Sequence, residues 1–258
     1  MYSKSVNLAS FVNYEDALRL DFAHKSNFCV EINGDIFSFV YARKFACSTL
    51  KRLVKELHGD VDFFDYKRKH LYRDCNHKLF ARVFFYRDPL EHVVSCFFNK
   101  FIVKKGAVNA ILSLEKSLCG KIDDFSFKQL CENYLPLIHQ NPQAVNPHLY
   151  PLAFHLLPIE YTHAVKMSDL FNAMNELLGL DIASRCFKQP VNNSSTSGLI
   201  DAPSGTDWTE IPVGKLCEMK DQFTYGSFKR SLMINSSLNH LVNDVYSLDC
   251  DIVRAIKD

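Results

Sequence analysis

The strongest constraint on the fold lies in residues 37–57, where an apolar run stops at Arg43-Lys44 and resumes with a helical period. Residues 36–41 are aromatic and β-branched, which is typical of a strand buried in a parallel sheet. The apolar positions that follow keep the spacing of one helix face: Leu50, Leu53, Val54 and Leu57. This stretch therefore predicts a strand, a loop and a helix.

The loop in this stretch has a composition that suits an anion. Lys44 lies at the strand end, and Ser48 or Thr49 can cap the helix. A helix N terminus carries unpaired N–H donors and about half a positive charge, which favours a phosphate or a sulfate. The phosphate loop of nucleotide triphosphatases needs glycines and a lysine directly before the hydroxyl, and this loop has neither. An ordinary turn with a solvated lysine is the alternative interpretation.

Composition limits the classes of protein to which the chain can belong. With 258 residues, 47% of them hydrophobic, the chain can form one domain over residues 1–258. A net charge of +1 excludes the broad basic field of a general nucleic-acid binder, so we expect no nucleic-acid partner. Nine cysteines without a C-x-x-C pair favour a reducing cytoplasm and argue against a zinc ribbon. No signal peptide and no membrane-spanning segment are expected.

The segments around the loop predict further elements. Residues 1–26 have apolar positions that indicate one or two helices. Residues 28–32 and 36–41 flank Asn33-Gly34-Asp35, which predicts a β-hairpin. Residues 60–76 are interpreted as a solvated loop or as a basic lip that contacts substrate. The basic residues of this segment and its border are Lys67, Arg68, Lys69, His70, Arg73 and His77.

A second strand and helix are predicted from residue 79 onward. Residues 79–86 form the strand, and Asp88 and Pro89 suit the cap and first position of a helix that runs to about Lys104. The predicted buried face contains Leu90, Val93, Val94, Phe97 and Phe101, and the polar face contains Asp88, Glu91, His92, Ser95 and Asn99. Arg87 and Ser95 can therefore face one ligand, and a guanidinium with a hydroxyl suits a dianionic phosphate monoester.

Two motifs together resemble a known family. RKFACSTL, at residues 43–50, is similar to the 5′-phosphosulfate loop P-K-x-x-S-T-x-L/W, with Arg43 in place of proline. ARVFFYRDPLEHVVSCFFNKF, at residues 81–101, resembles the 3′-phosphate motif R-D-P-x-x-R-x-x-S-x-F/Y. Arg87 and Ser95 occupy its defining positions, and His92 stands where the family commonly has arginine. The chain thus resembles the carbohydrate sulfotransferases, the family of chondroitin, dermatan and heparan uronyl sulfotransferases, in a soluble form of bacterial type.

The resemblance implies a fold, a donor and a reaction. The fold would be α/β, a mainly parallel central sheet flanked by helices, of the P-loop-like sulfotransferase type. The donor would be 3′-phosphoadenosine 5′-phosphosulfate, which leaves as 3′,5′-ADP, and the acceptor would be a hydroxyl of a carbohydrate or another compound. No metal is expected. Lys44 would carry the charge of the bridging oxygen, and Arg87 and Ser95 would bind the 3′-phosphate. The implied 5′-phosphosulfate ligands are Lys44, Phe45, Ala46, Cys47, Ser48 and Thr49.

The remaining parts of the resemblance concern the catalytic base and the C-terminal half. His148 and Pro151 match an H-x-x-P element, so His148 is the implied base, with His70 and His77 as rivals. KMSDL, at residues 166–170, resembles K/R-x-E-D-L, with serine in place of glutamate. Residues 189–209 are rich in Asn, Ser, Gly and Pro and predict a lid loop, in which residues 191–194 resemble H-x-N-x-S. Residues 238–256 predict one amphipathic helix, with Tyr246 and Asp249 in register with the family's terminal motif.

Two other functional hypotheses stay open. A phosphotransferase of the nucleoside-kinase type shares the strand, loop and helix plan, although the missing glycines and the lysine position argue against it. A noncatalytic nucleotide-binding relative is the other, because the chain departs from the family motifs at Arg43, His92 and Ser168. The sequence specifies neither the acceptor nor the oligomeric state.

Overall fold

The computed structural model describes residues 2–9, 11, 17–75, 78–188, 207–223, 225–233 and 236–257. The chain divides into two compact units. Unit 1 contains Met1–Arg87, Pro151–Asn192 and Leu248–Asp258, and unit 2 contains Asp88–Tyr150 and Asn193–Ser247.

Unit 1 is built on a mixed sheet, which within the described residues has five strands in the order β1-β5-β4-β3-β2. The strands are β1 (Ser3–Asn7), β2 (Asn27–Ile32), β3 (Asp35–Val40), β4 (Ala81–Tyr86) and β5 (Glu160–Lys166). Strands β3, β4 and β5 run parallel, whereas β2 pairs antiparallel with β3 and β1 pairs antiparallel with β5. The α/β class is confirmed. The prediction of a mainly parallel sheet holds for the three central strands, whereas each of the two edge strands pairs antiparallel with its neighbour.

Helices connect the strands of unit 1 and supply most of unit 2. In chain order they are α1 (Ala17–Ser26), α2 (Cys47–His58), α3 (Phe63–Lys69), α4 (Pro89–Phe97), α5 (Val108–Leu118), α6 (Phe127–Gln129), α7 (Leu137–Gln140), α8 (Leu170–Leu178), α9 (Leu180–Cys186), α10 (Val213–Glu218), α11 (Tyr225–Met233), α12 (Ser236–Val245) and α13 (Ser247–Lys257). Among the described residues, no helix combines the length and the apolar composition that crossing a bilayer requires.

The N-terminal segment differs from its prediction. Helix α1 agrees with it, but Ser3–Asn7 forms strand β1 instead of a helix. Val6 of this strand pairs with Tyr161 of β5 and is buried, as is Leu8 just beyond it. Pairing with the sheet edge satisfies the backbone of this short segment, and such a tertiary contact overrides a weak local pattern.

The predicted hairpin is confirmed. Strands β2 and β3 pair from Asn27↔Val40 to Ile32↔Asp35, and only Asn33 and Gly34 lie between them. Both turn residues are left-handed, with φ of 55° and 88°, as a two-residue type I′ turn requires. The turn therefore sets the register of β3, the strand that leads into the candidate anion loop.

The core of unit 1 lies between the sheet and its helices. The apolar face predicted for α2 is buried at Leu50, Leu53 and Val54. Residues of α8, α9 and α13 join the same cluster, among them Met174, Ala183 and Ile252. The segment 60–76, interpreted as a loop, instead contains α3 and a 3₁₀ turn at Tyr72–Asp74. Phe63 and Tyr66 of α3 are buried in the core, which explains why this polar-looking stretch is helical.

Unit 2 has a core rich in aromatic rings. Helix α4 continues as a π-helix over Phe98–Ile102, so its predicted length is approximately right. Phe97 stacks on Phe228 with 6.2 Å between ring centroids, and Trp208 meets Phe223 edge to face at 5.0 Å. The predicted lid at 189–209 lies outside the described residues except for 207–209. Because Trp208 and Thr209 are buried, those last positions belong to the core of unit 2 and not to a lid.

The predicted C-terminal helix is in fact two helices. Helices α12 and α13 are separated at Tyr246, whose ring is buried and whose hydroxyl donates to the carbonyl of Leu149. Asp249 is also buried, and its two carboxylate oxygens accept the N–H groups of Leu152 and Ala153 at 2.8 Å each. Burial raises the pKa of Asp249 to about 7, although these two hydrogen bonds oppose the shift. The two residues matched to the terminal motif thus hold the main chain of residues 149–153.

Candidate anion-binding site

The loop between β3 and α2 adopts an uncommon backbone. Lys44 has φ of 70° and Ala46 has φ of 56°, so two side-chain-bearing residues are left-handed within one short turn. Such a conformation costs free energy for residues other than glycine, and it clusters at functional sites. Phe45 lies between them and is buried in the core of unit 1. The loop is therefore anchored by Phe45, with half-buried Lys44 just before it.

The helix after the loop begins without a side-chain cap. The cap residue is Ala46, and Ser48 or Thr49, which were expected to cap the helix, lie inside its first turn. The expectation was wrong because the left-handed turn starts the helix at Cys47, before either hydroxyl. Three residues separate Lys44 from Ser48, one more than in the family's loop, and Cys47 takes the additional place. Both hydroxyls still lie in the first helical turn.

The resemblance implies that residues 45–49 bind the 5′-phosphosulfate through their backbone N–H groups, and two of these groups donate within the loop. The N–H of Phe45 donates to the carbonyl of Ala42 at 3.2 Å, and the N–H of Thr49 donates to Ala46 at 3.0 Å. Each of these two N–H groups has an acceptor inside the turn, and their assignment to the 5′-phosphosulfate stays a prediction. The assignment of the N–H groups of Ala46, Cys47 and Ser48 stays a prediction as well.

The surroundings of the loop are basic and aromatic. Residues 36–55 contain no aspartate or glutamate. The ammonium of Lys51 lies 4.5 Å from the ring centroid of Phe64, and that of Lys67 lies 5.6 Å from the ring of Tyr41. The Lys67 ammonium also donates to a backbone carbonyl of α1, and burial lowers its pKa. Sequence reasoning missed these contacts because it treated residues 60–76 as a loop.

Three basic residues belong to the carboxyl ends of the three parallel strands. Lys44 follows β3, Arg87 follows β4 directly, and Lys166 ends β5. The pairs Phe39↔Val83 and Tyr86↔Lys166 place these ends at the same edge of the sheet. The sequence analysis assigned Lys166 to the motif K/R-x-E-D-L and not to the anion site, and its position at the end of β5 is what places it at this edge. Ligands of open α/β sheets bind at this edge.

The junction after β4 is capped as predicted. The Asp88 carboxylate accepts the N–H groups of Leu90 at 2.9 Å and Glu91 at 3.2 Å, and Pro89 takes the first helical position. Two N–H groups in the first turn of α4 are therefore occupied by the protein's own carboxylate. Ser95 is half-buried on α4 and belongs to unit 2, whereas Arg87 is the last residue of its segment in unit 1. The assignment of both residues to one 3′-phosphate stays a prediction.

His92 lies in the interior of unit 2 and not on the predicted polar face of α4. Its side chain is fully buried, its Nε2 lies 2.7 Å from the carbonyl oxygen of His148, and its ring meets that of Tyr246 edge to face. An imidazole can be buried where a carbonyl accepts its N–H, which the spacing of polar residues along a helix does not reveal. His92 is therefore a structural residue of unit 2.

The ring of His148, the predicted base, is oriented by Asn146. Its Nδ1 lies 2.7 Å from Oδ1 of Asn146, and the same oxygen accepts the backbone N–H of His148 at 3.1 Å. Because that oxygen is an acceptor, Nδ1 carries the proton and Nε2 is the basic nitrogen of the ring. Sequence reasoning missed Asn146, although Asn-Pro-His is a typical start of a helical turn. The role of His148 as a base stays a prediction.

The rival bases have different surroundings. His70 ends α3, and its ring stacks on Tyr66 with 4.3 Å between centroids. Partial burial, together with nearby His58 and Lys69, lowers the pKa of His70. His77 lies outside the described residues.

Two further findings concern metal ligands and the similarity of the chain to known proteins. In the part of the chain that the structure describes, no group of three or more His, Cys, Asp or Glu side chains is placed to hold a metal ion. No family model, curated protein or solved structure matches this chain.

Proposed function

We propose that the protein is a sulfotransferase, which moves a sulfuryl group from 3′-phosphoadenosine 5′-phosphosulfate to a hydroxyl of a carbohydrate. The observation that supports this most is the position of Lys44 and Arg87 after two neighbouring parallel strands. Nucleotides bind across this edge in α/β proteins, and a donor with anionic groups at both its 5′ and 3′ ends needs separate cations.

Lys44 has the role of neutralising the leaving group. As the bond between sulfur and the bridging oxygen breaks, negative charge grows on that oxygen, and an ammonium beside it lowers the energy of the transition state. The first turn of α2 contributes the N–H groups of Ala46, Cys47 and Ser48 and two hydroxyls to the 5′ group. Arg87 binds the 3′-phosphate through its guanidinium.

The acceptor hydroxyl must lose its proton as it attacks sulfur. The acceptor oxygen forms the new bond to sulfur, 3′,5′-ADP leaves with the electrons of the broken bond, and a base takes the proton. His148 is our first candidate, since the hydrogen bond from Nδ1 to Asn146 makes Nε2 the proton acceptor.

Nucleotide choice tests the proposed donor. In calorimetry, 3′,5′-ADP should bind at least ten times more tightly than 5′-AMP, and Arg87→Ala should remove most of that difference. The loss should be about 1.5–3 kcal/mol, the usual size for a hydrogen bond to a charged group. Lys55→Ala is the control, because Lys55 is an exposed lysine in the last turn of α2, where it pairs with Asp60.

Equal affinity for 3′,5′-ADP and 5′-AMP would contradict the proposal, and preferential binding of ATP would favour the phosphotransferase alternative. Turnover is then measured by mass gain, with the sulfate donor and a panel of oligosaccharides. Tight binding of 3′,5′-ADP without turnover of any acceptor would favour the noncatalytic alternative.

The base is tested by comparing His148→Ala with His70→Ala. If His148 is the base, its variant should retain the affinity for 3′,5′-ADP and lose about a hundredfold or more in kcat, as expected for general-base catalysis. The His70 variant should keep both properties. The reverse result would transfer the role to the C-terminal end of α3.

A further inference from the structure

A second basic site lies in unit 1, at the end of the sheet opposite to the carboxyl ends of β3, β4 and β5. A cavity of about 440 Å³ opens beside the amino-terminal end of β4, and it is lined by Tyr72, Arg73, Cys75, Lys78, Leu79 and Arg82. Arg82 is the second residue of β4, so this cavity lies at the end of the strand opposite to Arg87. None of its lining residues belongs to the proposed donor site.

The charge of the cavity has one sign. Arg73, Lys78 and Arg82 line it, and none of its described lining residues has a carboxylate. Arg73 has an acidic neighbour, Asp74, but the two charges are 3.7 Å apart and both side chains are at least half exposed. Such an exposed pair neutralises little charge. Lys78 forms no ion pair with any described residue.

The backbone of Arg82 is anchored, and its guanidinium is incompletely paired. The backbone N–H of Arg82 donates to the hydroxyl of Thr162 at 2.9 Å, and its Nη1 reaches the carbonyl of Glu160 only at 3.5 Å. Its Nε is buried without a hydrogen-bond partner among the described residues. Because the contact of Nη1 with the Glu160 carbonyl is long, this nitrogen can donate to an anionic ligand oxygen without the loss of a strong hydrogen bond.

We propose that this cavity binds the sulfate or phosphate group of a small ester. The planar guanidinium of Arg82 offers a fork of donors, and the ammonium of Lys78 adds a mobile point charge, a combination that suits a tetrahedral anion. The volume falls within the range of small-molecule sites, so there is room for the group that carries the anion. Tyr72 and Leu79 supply an aromatic and an apolar wall for that group.

The proposal is tested with 4-nitrophenyl phosphate and 4-nitrophenyl sulfate in calorimetric titrations of the full chain. At least one ester should bind saturably and more tightly than the inorganic anion. Lys78→Gln and Arg82→Gln should each weaken that binding at least tenfold. Arg254→Gln should leave it unchanged, because Arg254 is an exposed arginine of the same unit that pairs with Asp251. Lys44→Ala should also leave it unchanged, since Lys44 belongs to the other edge of the sheet.

Three results would overturn the proposal. They are the absence of saturable binding to the wild-type chain, unchanged binding in Lys78→Gln, and loss of binding in Lys44→Ala. Equal affinity for the ester and for inorganic phosphate or sulfate would overturn the assignment of an ester. Lys78 is exposed, so its variant tests the site even if Arg82→Gln does not fold.

Discussion

The junctions after β3 and β4 both lead from a parallel strand into a helix, but they differ in how the helix is capped and in their charged residues. After β3, the chain turns through left-handed Lys44 and Ala46, and α2 begins without a side-chain cap. After β4, the chain turns through Asp88 and Pro89, and the Asp88 carboxylate accepts two N–H groups of α4. The first junction lacks acidic residues, whereas the second contains Asp88 and Glu91.

This difference affects how each helix start can interact with an anion. A helix N terminus attracts an anion only where the protein has not already placed its own carboxylate there. Helix α4 supplies its own anion, so a ligand phosphate near this junction must be held by side chains such as Arg87. Helix α2 has no acidic residue in its first turn, and Lys44 lies three residues before its first residue, Cys47. The junction after β3 is therefore the one to which we assign the sulfuryl donor in the proposed function.

The largest effect is expected from the removal of Lys44, the lysine of the junction between β3 and α2. Lys44→Ala should lower kcat about a hundred- to a thousand-fold, the usual cost of losing one donor to a developing oxyanion. The donor KM should change much less, because the charge grows only in the transition state. Steady-state kinetics with the sulfate donor measures both constants, and Lys55→Ala is the matched control. A normal kcat with a raised donor KM would make Lys44 a binding residue.

A smaller effect, on the free energy of unfolding, should distinguish the start of α4 from the start of α2. Asp88→Ala should lower the free energy of unfolding by about 1 kcal/mol, because it removes the cap of α4. Ser48→Ala should change it by less than about 0.5 kcal/mol, since its hydroxyl is not the cap of α2. Urea denaturation of both variants measures the two values. Equal losses would mean that the hydroxyl of Ser48 also stabilises its helix start, and the contrast between the junctions would fail.

The smallest expected effect concerns the left-handed turn itself. Ala46→Gly removes the cost of a left-handed alanine, which is about 1–2 kcal/mol. This gain in the free energy of unfolding offsets the loss of the methyl group and the added flexibility of glycine. The free energy of unfolding should therefore change by less than about 0.5 kcal/mol. Ala255→Gly, in the interior of α13, should lower it by roughly 0.5–1 kcal/mol. Thermal unfolding of the pair checks this contrast, and an equal loss in both variants would argue against a strained Ala46.

Local sequence patterns predicted those parts of the fold in which neighbouring residues favour one backbone geometry or keep a regular apolar period. Asn33-Gly34 set the hairpin, and Asp88-Pro89 set the start of α4, because each pair favours one backbone geometry. The helix face of α2 was also predicted, since its apolar period is regular. Strand β1 was missed, because a short strand is stabilised by its partner in the sheet. The break at Tyr246 was missed for a similar reason, as its hydroxyl bonds to a carbonyl 97 residues away along the chain.

For the candidate site, the sequence by itself determined which residues follow the strands: Lys44 after β3 and Arg87 after β4. Only the tertiary structure decided that Ala46 caps α2, that the N–H groups of Phe45 and Thr49 are used within the loop, and that His92 is buried. The physical reason is the range of the interactions. Strand and helix periods depend on neighbours along the chain, whereas hydrogen-bond acceptors and burial depend on groups that folding brings together.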